Sequence, residues 1–304
     1  MDFVLEAAAV TKKFAGRKAL DEVELKIPAG QTFGIIGRNG AGKTTFIKIA
    51  LGFLRQTSGE INLFGERPGR FPGRAGYLSE KSDYHITFTG REYLAYLAGF
   101  SGVEKKAVGG RVAELLSLTG IEDAADRIMS HYSKGMLQRL GIAQSMITAP
   151  DFLILDEPFS GLDPSGQRDL CEIILKLKAL NKTILVCSHI LSHLEKICDG
   201  VAIIHEGKII RSGPIASLLV KKDRYRLEIE NMSDALFDAL KSGFAMTRSG
   251  DRKIVFEERA KGEKEILLKS LIDKGVIING LSAYKESLDD YFNLEITKTA
   301  GGGQ

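Results

Sequence analysis

No long apolar run is present: segments such as 152–155 and 201–204 fall far short of the roughly 20 residues that span a bilayer, so the chain is not expected to cross a membrane by itself. Cysteine is scarce. Cys171, Cys187 and Cys198 are an odd number without C-x-x-C spacing, which indicates neither a disulfide framework nor a zinc site and leaves small, reduced packing residues. A basic leader is missing too, since the chain opens Met1-Asp2-Phe3-Val4-Leu5-Glu6, acidic and too short in apolar length for a secretory signal; the expectation is the cytoplasm. Nor is there a polybasic block: 42 basic and 39 acidic side chains are mixed along the chain for a net +3, and no nucleic-acid partner is expected. What is present is 44% hydrophobic and 27% charged residues in 304 positions, enough for a real core and for one large or two modest domains, which excludes disorder for the bulk of the chain.

The first two-thirds alternates β-like runs with helical patterns, which predicts an α/β domain with a largely parallel sheet. Strands are predicted over 3–10, 31–36, 59–64, 152–155, 183–187 and 200–205. Between 90 and 149 the pattern is helical only, and Val108, Val112, Leu115 and Leu116 recur at the spacing of one buried stripe, so a helical insertion is expected over about 84–149. Glu206-Gly207-Lys208 predicts a hairpin turn between 201–205 and 209–211, and Pro214 opens a short helix running into Lys221-Lys222. The domain boundary is placed there, giving 1–217 and 218–304. The second part reads as strand 225–229, helix 234–241, strands 244–248 and 253–257 linked by Ser249-Gly250-Asp251, helix 263–273 and strand 276–283. That order, β-α-β-β-α-β, is the split βαβ pattern of ferredoxin-like domains. A final amphipathic stretch, 288–294, is expected to pack back on it, with Gly301-Gly302-Gly303 a frayed tail.

Gly37-Arg38-Asn39-Gly40-Ala41-Gly42-Lys43-Thr44-Thr45 fits G-x-x-x-x-G-K-[ST], and it follows an apolar strand and precedes a helix, as a phosphate loop must. The glycines let the backbone curl so that N–H groups point at phosphate oxygens, and the helix N-terminus adds a favourable dipole. Lys43 is expected to reach the β- and γ-phosphates and the Thr44 hydroxyl to ligate Mg²⁺. A metal site needs an acid at the end of a buried strand, and Phe152-Leu153-Ile154-Leu155-Asp156 supplies it. Asp156 is expected to hold Mg²⁺ through water, and Glu157 to polarise an attacking water as general base.

With these elements in place, Tyr132-Ser133-Lys134-Gly135-Met136-Leu137-Gln138-Arg139 resembles the signature motif of ATP-binding cassette (ABC) ATPases, a short helix upstream of the second acidic motif. Ser160-Gly161-Leu162-Asp163 resembles the D-loop of that family, His189 its switch histidine, and Phe14 the aromatic residue on which adenine stacks. The likeness covers residues 2–217. It implies an α/β P-loop NTPase cassette with a mixed sheet core, an antiparallel β region and a helical insertion, followed by a small α+β domain. It also implies ATP and Mg²⁺ as cofactors. ATP binding would fall to Phe14, Gly37, Arg38, Asn39, Gly40, Ala41, Gly42, Lys43, Thr44 and Thr45, and metal binding to Thr44, Glu80 and Asp156. Catalysis would fall to Glu157, His189 and Lys43. Ser133 and Gly135, a hydroxyl and a bare backbone at a helix N-terminus, form an anion site; in the family it faces, with Asp163, the ATP held by a second cassette. One phosphate loop and one signature per chain therefore imply a homodimer or a cassette heterodimer with two composite sites.

Four positions in three motifs depart from the family pattern. Lys134 and Met136 replace a glycine and a glutamine of the signature; Lys134 either adds charge near the γ-phosphate or is simply solvated. In Gly76-Tyr77-Leu78-Ser79-Glu80 the glutamine of the Q-loop is Glu80, which still offers an oxygen to Mg²⁺ but cannot donate as an amide does. Arg38 stands where proline is more usual. Hydrolysis is expected to survive, because Lys43, Asp156, Glu157 and His189 are intact.

The resemblance implies an ATPase subunit that powers a membrane transporter, docked on separate transmembrane permease subunits at the inner face of the cell membrane. The short accessory domain ending Ser287-Leu288-Asp289-Asp290-Tyr291-Phe292 is similar to that of bacterial exporter cassettes of the multidrug, ion and antibiotic-efflux type. The alternative is a soluble ABC ATPase acting on DNA or ribosomes. Those usually carry two cassettes, a coiled-coil insertion or zinc-binding cysteines, and 15 basic against 15 acidic residues over 218–304 make no cationic clamp. Cargo is not legible, since in this family it is chosen by the membrane subunits.

Overall fold

A computed structural model describes residues 2–70, 73–80, 84, 87–250, 252–285 and 287–301. Two long strands, β1 (Phe3–Phe14) and β2 (Arg17–Pro28), are joined through Ala15 and Gly16 at φ 43° and 85°, the backbone that a primed two-residue turn needs. β3 (Thr32–Ile36) leads through the phosphate loop into α1 (Lys43–Ala50), and β4 (Ser58–Leu63) returns to pair antiparallel with β1. After β5 (Ala75–Leu78) come three helices, α2 (Gly90–Phe100), α3 (Val108–Thr119) and α4 (Lys134–Ser145). β6 (Phe152–Asp156), α5 (Pro164–Ala179), β7 (Thr183–Ser188), α6 (Leu191–Ile197), β8 (Gly200–His205) and β9 (Lys208–Pro214) follow.

The strands form a three-stranded antiparallel sheet, β2-β1-β4, and a six-stranded sheet, β5-β6-β7-β3-β8-β9, parallel except for β9. Every residue of β3, β6 and β7 is buried, which is why these strands read as continuous apolar runs: both faces of a parallel sheet are covered. Phe46, Ile47 and Ile49 of α1 share one core with Leu5, Leu20 and Leu63 of the antiparallel sheet and Ile35 and Phe152 of the parallel one. Each such side chain contributes roughly 1.5–3 kcal/mol by leaving water. The phosphate loop thus stands on a helix locked between two sheets.

The insertion is helical, as expected. α2 starts at a capping box in which Thr89 accepts from the Glu92 N–H and the Glu92 carboxylate accepts from the Thr89 N–H. On α3, Val112, Leu115 and Leu116 are buried and Val108 is half-buried, the stripe foreseen from spacing. Sequence reasoning missed β2, whose inward Leu20, Val23, Leu25 and Ile27 are separated by charged residues, and β5, only four residues long with a glycine inside it.

Contacts group the chain into two units, Met1–Ile215 with Phe292–Gln304, and Ala216–Tyr291. The helix opened by Pro214 is shorter than expected: α7 (Ile215–Leu218) stops, and Lys221 and Lys222 already lie in β10 (Val220–Glu230). α8 (Asp234–Lys241), β11 (Ala245–Arg248), β12 (Lys253–Glu257), α9 (Glu263–Asp273) and β13 (Ile277–Lys285) complete an antiparallel sheet of order β11-β12-β10-β13. That order is the ferredoxin-like split βαβ arrangement. Phe237 and Leu240 of α8 and Leu267 and Leu271 of α9 pack with Leu227, Ile229, Ile254 and Phe256 of the sheet. Asp251 of the expected hairpin link and Gly302 and Gly303 of the expected tail lie outside the described residues. The last helix, α10 (Leu288–Gly301), groups from Phe292 onward with the first unit instead of the small domain, and there buried Glu295 pairs with Arg211 of β9 at 2.8 Å.

Candidate active site

The loop between β3 and α1 needs glycine for two separate reasons. At Gly42, φ is 115° and a Cβ would stand 2.7 Å from the Ala19 carbonyl; at Gly37 a Cβ would stand 2.6 Å from the Ile204 carbonyl. Gly42 is also the N-cap of α1 and offers no side chain to its first turn, so those N–H groups remain for an anion. Arg38, Asn39, Gly40, Ala41, Gly42, Lys43, Thr44 and Thr45 line one cavity of 360 Å³ together with Glu80 and Glu157.

Lys43 is buried at the floor of this cavity. Its Nζ donates to the Gly37 carbonyl at 2.7 Å and stands 3.0 Å from Glu157 Oε1, an ion pair whose geometry falls short of a hydrogen bond. The other oxygen of Glu157 meets His189 Nδ1 at 2.8 Å, so that ring nitrogen carries the proton and Nε2 is left for a ligand. Glu157 sits at φ 49° just past β6, with its N–H held by the Cys187 carbonyl at 2.8 Å. A non-glycine residue in that region is strained, and here the strain re-aims a carboxylate that would otherwise continue the strand.

Asp156 is fully buried. The Thr44 hydroxyl donates to its Oδ2 at 2.8 Å, while Oδ1 is buried without a partner. Burial raises its pKa from 3.8 to about 6, with the Glu157 and Glu80 charges adding to the rise and Thr44 and Lys43 opposing it. An unpartnered carboxylate oxygen, an adjacent hydroxyl and Glu80 on the same cavity wall are hard oxygen donors, the chemistry Mg²⁺ takes. Among the described residues no group of three His, Cys, Asp or Glu converges as a full ligand cage.

The sign of this shift gives a test. A carboxyl whose folded pKa lies above its unfolded value favours folding below about pH 4, and that advantage is lost as pH rises through about 6. Two units correspond to about 3 kcal/mol. Asp156→Asn should therefore raise the melting temperature of the nucleotide-free protein at pH 7.5 by about 5 °C, change it little at pH 4.5, and abolish Mg²⁺-dependent nucleotide binding. Thermal melts at both pH values check this; a lower melting temperature at pH 7.5 would mean that the charge is already compensated.

Phe14 is 48% exposed and lines a neighbouring cavity that shares Arg38, Asn39, Gly40, Ala41 and Thr45 with the first. Its ring thus stands where a base attached to a bound polyphosphate can stack. Lys12 Nζ lies 5.0 Å from the ring centroid, and Arg17 and Lys18 line the same cavity. None of these three cations was singled out from sequence, although they flank Phe14 within five residues.

Ser133, Gly135 and Asp163 come together in a different cavity, which shares no lining residue with the other two. Ser133 caps α4, its Oγ accepting from the Met136 N–H at 3.2 Å, which leaves its own hydroxyl proton to donate outward. Asp163 caps α5 by accepting from the Gly166 N–H at 3.0 Å. Lys134 is exposed and the end of its side chain lies over Gly161. Arg127, Lys134 and Arg139 line this cavity opposite Asp123, Asp163 and Asp169, with Arg139 paired to Asp169, a mixed-charge wall that sequence reasoning did not foresee.

Residues 20–160 match the family model described as ABC transporter. Over 316 residues the chain is 34% identical to the bacitracin transport ATP-binding protein BcrA of Bacillus licheniformis, spanning 100% of this chain and 99% of that protein. An uncharacterized ABC transporter ATP-binding protein of Nostoc is 44% identical over 217 residues, 70% of this chain and 65% of that protein. Among solved structures, cbiO1 of Clostridium perfringens, part of the ABC transporter complex cbiONQ, superposes with a TM-score of 0.65 at 26% identity over 70% of this chain and 89% of that one.

Proposed function

From the premise that this chain belongs to the ABC transporter ATP-binding proteins, ATPases whose hydrolysis is coupled to transport, we propose that it is one half of a dimeric motor serving separate transmembrane permease subunits. The motor sits on the inner face of the membrane and drives export. Among the described residues no helix is long and apolar enough to cross a membrane, so the cargo path belongs to the partner. An end-to-end likeness to a bacitracin transport ATP-binding protein favours an antibiotic-type cargo. The small domain that follows the cassette, drawn at residue 218, serves that partnership or packs as an appendage.

The dimer is supported by one observation above all: the phosphate loop and the anion site at Ser133 and Gly135 lie in cavities without a common wall. A single chain can therefore offer each half of a site but not close it, and a second copy or a related cassette supplies the missing half. Within one half-site, Lys43 leaves the Gly37 carbonyl and Glu157 to hold phosphate oxygens, and Phe14 carries the base. Thr44, Asp156 and Glu80 supply oxygens for Mg²⁺, which when bound neutralises charge on the phosphoryl group. With Lys43 engaged elsewhere, Glu157 Oε1 is released to accept a proton from water while His189 keeps hold of Oε2.

Co-expression with a candidate multi-span permease subunit is expected to bring the chain to membranes and to co-purify it with that partner. Absence from membranes, with salt-sensitive retention on DNA or ribosomes, would reverse the reading.

A further inference from the structure

Gln167 on α5 and His193 on α6 make a relay that no step of the mechanism above uses. His193 Nε2 lies 2.9 Å from Gln167 Oε1, and Gln167 Nε2 donates to the Leu162 carbonyl at 3.1 Å. The His193 ring also packs on Phe159 with centroids 4.8 Å apart, and Phe159 is fully buried. Phe159 and Leu162 belong to the turn that begins at Glu157 and ends at Asp163. That turn is closed internally by Ser160 N–H to the Glu157 carbonyl at 3.1 Å and Leu162 N–H to the Phe159 carbonyl at 3.3 Å. His193, for its part, lies four residues beyond His189, across the start of α6.

The tautomer follows from the partners. Gln167 spends its amide N–H on Leu162, so its oxygen faces His193 and the proton must sit on Nε2. Nδ1 is then buried with no partner, and a second proton there would place a charge without an acceptor. Burial, with Lys196 nearby, holds this ring below the usual histidine range, so the neutral donor form persists at neutral pH. A neutral ring with one fixed donor is a rigid strut and not a proton carrier.

We infer that Gln167 and His193 are positioning residues that clamp the Glu157–Asp163 turn to the helix following His189, so that a shift of His189 on meeting phosphate moves Asp163. Asp163 lies in the cavity offered to the second copy, and the two ATP sites of a dimer are thereby coupled through this strut. The inference rests on the composite-site reading. Without the strut, base and switch histidine keep their direct 2.8 Å contact but the turn that carries the in-trans residue floats.

His193→Leu and Gln167→Leu should each lower kcat of the full chain about tenfold while leaving nucleotide affinity of the isolated chain, measured with MgATP, within about twofold and the melting temperature within about 3 °C. His193→Gln keeps a donor at the same reach and should return kcat to within about threefold of the unaltered chain. The double Leu variant should be no slower than either single one, the signature of residues acting as a unit. Unchanged kcat, losses of affinity or melting temperature in step with kcat, no rescue by His193→Gln, or additive single effects would each overturn the role. Failure of the composite-site reading shows separately, as a Glu157→Gln chain that stays monomeric in ATP whatever the relay variants do.

Discussion

Glu157→Gln is expected to abolish turnover and to hold the chain as an ATP-bound dimer. The substitution keeps the shape of the side chain and removes the charge that draws a proton from water, a loss of about 10²–10⁴ in rate for a general base. Binding should not suffer, because Lys43 no longer has a buried carboxylate 3.0 Å away competing with phosphate for its ammonium. ATP then fills the half-site, cannot leave as product, and keeps both chains together. Sedimentation or light scattering with ATP and Mg²⁺ should give twice the mass seen without nucleotide, and ADP should not substitute. A monomer under those conditions would sink the two-chain mechanism, and undiminished hydrolysis would remove Glu157 from the role of base.

Lys43→Met should have the second-largest effect, and on two separate observables. Nucleotide affinity should fall by at least about 100-fold, since a charge-assisted contact to phosphate is lost in a buried site. Stability should fall as well, because the substitution strands Glu157, 5% exposed, with His189 left of the two side chains that grip it. Removing one member of a buried ion pair costs about 3–5 kcal/mol. In a domain this size that is a drop in melting temperature of about 10 °C. Combining Lys43→Met with Glu157→Gln removes both charges and should recover most of the stability but none of the nucleotide binding. Melting curves of the single and double variants check this, and a single variant as stable as the unaltered chain would show that the pair is not a structural contact.

How much of this was legible in the sequence depends on whether the determining contact is local. The phosphate loop, β3 and α1 are specified within twenty residues, and so were foreseen together. Ser133 was likewise placed at a helix N-terminus, where it caps α4, whereas the capping of α5 by Asp163 was not read although Asp163-Pro164 carries that signal. The split βαβ order of the second unit was readable because each strand and helix there is short, regular and bounded by turn residues. β2 was overlooked although Val23, Leu25 and Ile27 alternate with Glu24 and Lys26 as a half-buried strand does, and β5 because four residues are too few for periodicity to emerge. The grip of Lys43 and His189 on opposite oxygens of Glu157 was also invisible. It depends on strands β6 and β7 lying side by side and on a left-handed backbone at Glu157, neither of which leaves a mark in residue order. The relay from His193 to Leu162 joins residues 26 and 5 positions apart through a glutamine that belongs to no motif.

Asp156 Oδ1, buried without a partner, makes bound nucleotide and Mg²⁺ a source of stability as well as fuel. Thr44 satisfies only the other oxygen of this carboxylate, and a ligand that binds the folded chain adds a linkage stabilisation of about 2.7 kcal/mol at a hundredfold excess over Kd. Resistance to proteases is therefore expected to rise with the free nucleotide concentration. Abundance of the motor would then follow fuel supply without any dedicated regulator, and degradation measured during ATP depletion should be slower for Asp156→Asn than for the unaltered chain.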